Sequence, residues 1–161
     1  MERRSVLLLV GVVVVVALAG SVGASCPDGF QLFPHGACVK LFTWGSSQFF
    51  PSWDGASEDC KKEGGQLITL DTPEKIQQFS THIFGLGGSW DGYPFCVGAR
   101  KTESGWRWLS GAKLSSDSHV WLPSQPAESA THAQLVPMSS HPRHYLTSSI
   151  GCRAAACEKK P

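Results

Sequence analysis

Histidines, cysteines and tryptophans carry most of the chemical potential of this 161-residue chain. His132, His141 and His144 lie close together in sequence, and the step from His141 to His144 has the spacing of a ligand pair. Zinc requires a tetrahedral set of four, and Pro142 breaks any regular face between the two, so the three read as solvated loop histidines. Trp44, Trp90, Trp106, Trp108 and Trp121 offer aromatic surface on which a sugar ring could stack. Trp90, set beside Ser89, Asp91 and Gly92, is the one expected to be exposed. Serine, histidine and aspartate are plentiful, but neither a nucleophile elbow nor an activated-thiol pattern accompanies them. The expectation is a protein that is not an enzyme.

The six cysteines have a compartment to match. Arg3 and Arg4 precede an apolar run from Val6 to Ala19, and Val22-Gly23-Ala24 offers small residues for cleavage, so residues 1–24 read as a secretory signal peptide. The alternative is a signal anchor, since Val6 to Ala24 is just long enough to span a bilayer. Gly11, Gly20 and Gly23 dilute that run, and Cys26 follows it at once. Secretion makes disulfides the expected state of the thiols. The chain has no asparagine, which excludes N-glycosylation. Without Glu2, Arg3 and Arg4 the acidic and basic residues balance, so the mature protein lacks the basic footprint of a nucleic-acid or anionic-membrane binder.

Residues 25–161 are the length of one domain with a real core. Phe30 to Phe33 and Ala37 to Phe42 read as a hairpin. Ser52 caps a helix from Trp53 to Glu63, whose Trp53, Ala56 and Cys60 share a face and which Gly64-Gly65 stops. Gln66 to Leu70 is a strand. Asp71 and Glu74 have capping-box spacing ahead of a second helix with Ile76, Phe79 and Ile83 buried, and Pro73 suits its first turn. Phe95 to Arg100 and Gly105 to Leu109 are strands, the latter turning Trp106 and Trp108 to one face. Residues 110–131 are a long polar segment anchored by Val120-Trp121-Leu122, of the kind that carries function in compact domains. Ala133 to Val136, His144 to Thr147 and Ala154 to Glu158 complete the strands. Strands, then helices, then strands give an α+β class.

These residues resemble a C-type lectin-like domain. Cys26-Pro27-x-Gly29-Phe30, Cys38, Trp53 through Ala56 and Cys60, and Gly64-Gly65-Gln66-Leu67 are similar to its first half. Val97-Gly98-Ala99, Trp106-x-Trp108-x-x-Gly111, Trp121, Gln125-Pro126 and Cys157-Glu158 are similar to its second, so the resemblance spans residues 26–158. It implies two helices, small antiparallel sheets, a long loop region, and core roles for Trp106, Trp108 and Trp121. It also implies a Cys26–Cys38 bond in the hairpin and a Cys60–Cys157 bond from the first helix to the last strand. The family's remaining pair has only one matching end, Cys152, while Cys96 stands where a core aromatic is usual. A Cys96–Cys152 bond, two free thiols and an interchain bond all remain open here.

Sugar-binding members hold Ca²⁺ in the long loop, and Ca²⁺ takes six to eight oxygens, commonly with several carboxylates. The family's Glu-Pro-Asn or Gln-Pro-Asp triplet reads Gln125-Pro126-Ala127 here, and its Trp-Asn-Asp motif reads Thr147-Ser148-Ser149. Gln125, Glu128, Ser148 and Ser149 are the remnants, and between Gly111 and Gly151 the only carboxylates are Asp117 and Glu128. No metal or other cofactor is therefore expected, with Ca²⁺ disfavoured. The leading expectation is a secreted module that binds a glycan or an extracellular protein without calcium. Its contact residues would come from Gln125, Glu128, His141, Arg143, His144, Tyr145 and Trp90. The alternatives are a Ca²⁺-dependent, galactose-type lectin with an atypical Gln-Pro-Ala site, and a structural matrix protein.

Overall fold

A computed structural model describes residues 25–43, 52–87, 90, 92–138, 145–147 and 152–161, the 145–147 segment by its backbone. Residues 1–24, where a signal peptide is expected, and Trp44, His141, Arg143, His144, Ser148 and Ser149 lie outside these residues. Among the described residues no helix is long and apolar enough to cross a membrane.

The strands β1 (Gln31–Leu32) and β2 (Cys38–Thr43) form the N-terminal hairpin. Helix α1 (Trp53–Lys62) begins as its sequence predicts, with the Ser52 hydroxyl accepting from the Gly55 amide at 3.1 Å. It ends where Gly64 turns left-handed at φ 75°. Gly65 follows because β8 passes so close that a Cβ there would sit 2.5 Å from the Glu158 carbonyl oxygen. Strand β3 is only Gln66–Leu67, shorter than expected. Beyond it the chain wedges between neighbours, the Ile68 amide bonding to Ala156 O and the Ile68 carbonyl accepting from Gly98 N, each at 2.8 Å.

Helix α2 (Pro73–Gly85) is capped by Thr72, not Asp71: the Thr72 hydroxyl accepts from Lys75 N at 3.3 Å. The Asp71 carboxylate instead binds the Lys75 ammonium at 2.6 Å. Strands β4 (Phe95–Thr102) and β5 (Gly105–Trp108) form a second hairpin, followed by β6 (His132–Leu135), β7 (Tyr145–Thr147) and β8 (Ala154–Lys159).

The sheet order is β1-β2-β8-β4-β6-β7, with β3 added on β8 and β5 on β4. β8 therefore lies at the centre and joins the N-terminal hairpin to the second half. Its pairing with β4 is parallel, so the sheet is mixed and not purely antiparallel. Phe79 of α2 meets Phe95 of β4 edge-on at 5.6 Å between centroids, fixing the helix over the sheet. Trp106, Trp108 and Trp121 are buried in the main core, as the resemblance implied.

A second, smaller cluster gathers Trp53, Ala56, Leu67 and Ala155 around four half-cystines. Cys26–Cys38, Cys60–Cys157 and Cys96–Cys152 are all bonded, with Cα atoms 5.5, 5.2 and 5.3 Å apart. The open third pairing is thus resolved within one chain. Cys96, fully buried, ties β4 covalently to Cys152, just ahead of β8.

Candidate functional site

The long segment between β5 and β6 is held by backbone and indole bonds and contains no regular strand. Leu114 N reaches Trp106 O at 3.0 Å, and the Trp121 indole donates to Ser115 O at 2.8 Å. Trp121 also packs edge-on against Trp106 at 5.1 Å. Ser118 O accepts from Trp121 N at 3.1 Å, so residues 114–121 form a pinned turn.

Gln125-Pro126-Ala127 follows, with a cis peptide before Pro126 and Ser124 in a left-handed conformation at φ 66°. The Gln125 side-chain oxygen accepts from Ala127 N at 3.0 Å, folding the amide over its own turn. Ala127 packs its methyl against the core. Glu128 is exposed, while its backbone carbonyl receives the Lys101 ammonium at 2.8 Å. The Asp117 carboxylate accepts from the Ser115 hydroxyl, which holds its pKa below the ordinary aspartate value.

Within Gln125–Glu128 few oxygens are left for Ca²⁺. Ala127 has no side-chain oxygen, the Gln125 oxygen is already engaged, and a lysine ammonium sits on the Glu128 carbonyl. Among the described residues no three His, Cys, Asp or Glu side chains gather as a metal site.

Of the expected contact residues, Gln125, Glu128 and Trp90 are described with their side chains and Tyr145 by its backbone, and these four fall towards two ends of β6. Gln125 and Glu128 lie at the Lys101–Thr131 end of β4 and β6, where Lys101 N bonds Thr131 O at 2.7 Å. Tyr145 pairs through its backbone with Leu135 at the other end of β6, opposite Phe95. Four residues of strand separate the ends by about 10 Å. Trp90 falls at the Phe95 end and is not the exposed platform expected of it. It is half-buried, edge-on to Tyr93 at 5.4 Å and tilted over Phe95 at 5.5 Å. Its glycine-rich neighbours suggested exposure, but long-range packing onto β4 decides otherwise.

His132 is a second correction. It is half-buried and stacks on the Trp53 indole at 4.4 Å, so it is not a solvated loop histidine. Burial lowers its pKa from the ordinary 6.5, Asp54 pulling it up and Arg100 down. The Trp53 indole N–H donates to Val97 O at 2.7 Å, which fixes the surface His132 lies on.

The disulfide framework, the two helices and the pinned loop together match known proteins. A model of the lectin C-type domain matches residues 51–159. The chain belongs to the C-type lectin domain family. C-type lectin domain family 7 member A of Bos taurus is 28% identical over 100 residues, covering 61% of this chain and 36% of that protein. The chain thus matches little more than a third of that relative's length. Among solved structures, the cow CD23 carbohydrate-recognition domain, crystallised with a GlcNAc2Man3 oligosaccharide, superposes with TM-score 0.65 at 16% identity. That match covers 86% of this chain and 98% of the other. Human lithostathine gives 0.66 at 20% identity, covering 85% and 92%. A calcium-independent type II antifreeze protein gives 0.66 at 18%, covering 88% and 98%. These C-type lectin domains share the fold with this chain. Domains of the family are in general non-enzymatic recognition domains.

Proposed function

We propose that this C-type lectin domain is an extracellular recognition module that binds a glycan, or failing that a protein, through its long-loop face without calcium. The observation that carries this reading is the Gln125–Ala127 turn. There the one amide oxygen retained from the ion-binding triplet caps its own backbone, and the next ligand position is a methyl group. With no ion to hold sugar hydroxyls, recognition falls to preformed hydrogen-bonding groups beside apolar surface. Three disulfides suit an oxidising, extracellular setting.

Binding of the oxidised protein to a glycan array, in millimolar Ca²⁺ and again in chelator, tests the reading. Equal capture of the same glycans in both buffers supports it. Capture abolished by chelator contradicts it and restores the atypical calcium site. No glycan captured in either buffer shifts the ligand to the protein class.

A further inference from the structure

A calcium-free site needs a hollow with hydrogen-bonding groups already aimed into it. The Gln125 turn provides none among the described residues, but a cavity of about 250 Å³ lies between the start of α2 and the pinned 113–120 turn. Its size falls just below the roughly 300–1,000 Å³ of sites for drug-sized ligands, as suits a single sugar ring. Leu114 and Val120 give it an apolar floor, both buried in the main core.

Polar groups line the cavity on both sides of that floor. On the helix side is Asp71, whose carboxylate takes the Lys75 ammonium on one oxygen at 2.6 Å and the Ser110 hydroxyl on the other at 3.3 Å. A carboxylate accepts about four hydrogen bonds, so Asp71 retains acceptor capacity for sugar hydroxyls. On the loop side are Lys113, Ser118 and His119, of which Lys113 and His119 are exposed and Ser118 half-buried. The bonds that pin residues 114–121 hold this wall in place before any ligand arrives. Charge is balanced locally: Asp71 is paired with Lys75, and Lys113 lies within electrostatic reach of Asp117. A neutral ligand is therefore favoured over a sulfated or sialylated one.

We propose that this cavity is a calcium-independent subsite for one neutral hexopyranose unit. Asp71 accepts from sugar hydroxyls, Lys113 and Ser118 donate to sugar oxygens, and the apolar face of the ring lies over Leu114 and Val120. The proposal rests on the glycan-binding reading above and assigns it a place. A larger hollow of about 800 Å³, lined by Gly65, Lys75 and Lys159 among others, lacks this arrangement: glycines and polar or charged side chains line it, with Ala37, and none of them is a buried aliphatic residue that could serve as a floor.

The test is an amide chemical-shift titration of the oxidised protein with glucose, galactose, mannose and N-acetylglucosamine, each to tens of millimolar in chelator. At least one sugar is expected to move the amides of residues 71–76 and 113–120. Ser118→Ala and Lys113→Ala are expected to weaken that response about tenfold each with unchanged melting temperature, the effect of one lost hydrogen bond. Asp71→Asn serves as a third variant where it folds. Shifts confined to residues 124–135, or a stronger response to N-acetylneuraminic acid than to any neutral sugar, overturn the subsite. A null titration beside positive capture on the glycan array overturns the subsite alone; a null in both overturns the glycan reading with it.

Discussion

Trp53 sits in the smaller core and reaches the backbone of β4, whose Val97 belongs to the main one. Its indole closes a buried bond to Val97 O at 2.7 Å and supports His132 on its face. Trp53→Phe keeps most of the apolar volume but leaves that carbonyl without its donor. Chemical denaturation is expected to show a loss of about 1–3 kcal/mol. His132 and His82 add a pH dependence. Burial lowers both pKa values from 6.5, so the folded state binds fewer protons than the unfolded chain in the range below 6.5. The stability they contribute is present above pH 6.5 and is lost as pH falls through the depressed folded values. Melting temperature is therefore expected to drop between pH 7 and pH 5, and to drop less in His132→Gln and His82→Gln. A wild-type melting point that rises on acidification would contradict this account.

At the scale of elements, the local signals were strongest where chemistry is local. The Ser52 cap, the Gly64 stop and the 53-56-60 apolar face of α1 were legible because each depends on residues within one turn. The start of α2 was misread by one residue: Asp71 and Thr72 are both good caps, and the Lys75 ammonium is what draws Asp71 away. Strand β3 is shorter than the Gln66 to Leu70 expectation because nothing local in that segment marks an end, and only the wedge between β8 and Gly98 decides where pairing stops. The Trp90 and His132 errors have the same origin, since their partners Phe95 and Trp53 are set by the fold and not by neighbours in sequence. The parallel β4–β8 pairing and the Cys96–Cys152 bond belong together, as both join strands distant in sequence. The longest and the shortest ties differ in what they contribute. The Cys60–Cys157 bond closes 97 residues and Cys26–Cys38 closes 12. In the loop-entropy model removing the first costs about 4–5 kcal/mol and the second about 3. Double serine variants are expected to melt in that order, the Cys60/Cys157 variant lower. The reverse order would mean that strain or residual structure outweighs loop closure.

For the whole molecule, the fold and the site were not equally readable. Six cysteines and a string of tryptophans and glycines at family spacing carry the C-type lectin architecture, because a stapled core tolerates little change in either. The proposed site rests on single residues such as Ala127, and on a cavity whose walls, Asp71 and Ser118, come from segments with no shared sequence pattern. In the sequence Asp71 reads as a capping residue, and the polar 110–131 segment reads as functional without singling out residues 113–120 as a wall. The central claim is that the calcium site is gone while the domain remains intact. Thermal melting of the oxidised protein in millimolar Ca²⁺ and in chelator addresses it directly. A site occupied a hundredfold above its dissociation constant adds about 2.7 kcal/mol, enough to raise the melting point by several degrees. The account predicts superimposable melting curves in the two buffers; a rise of several degrees in Ca²⁺ would contradict it.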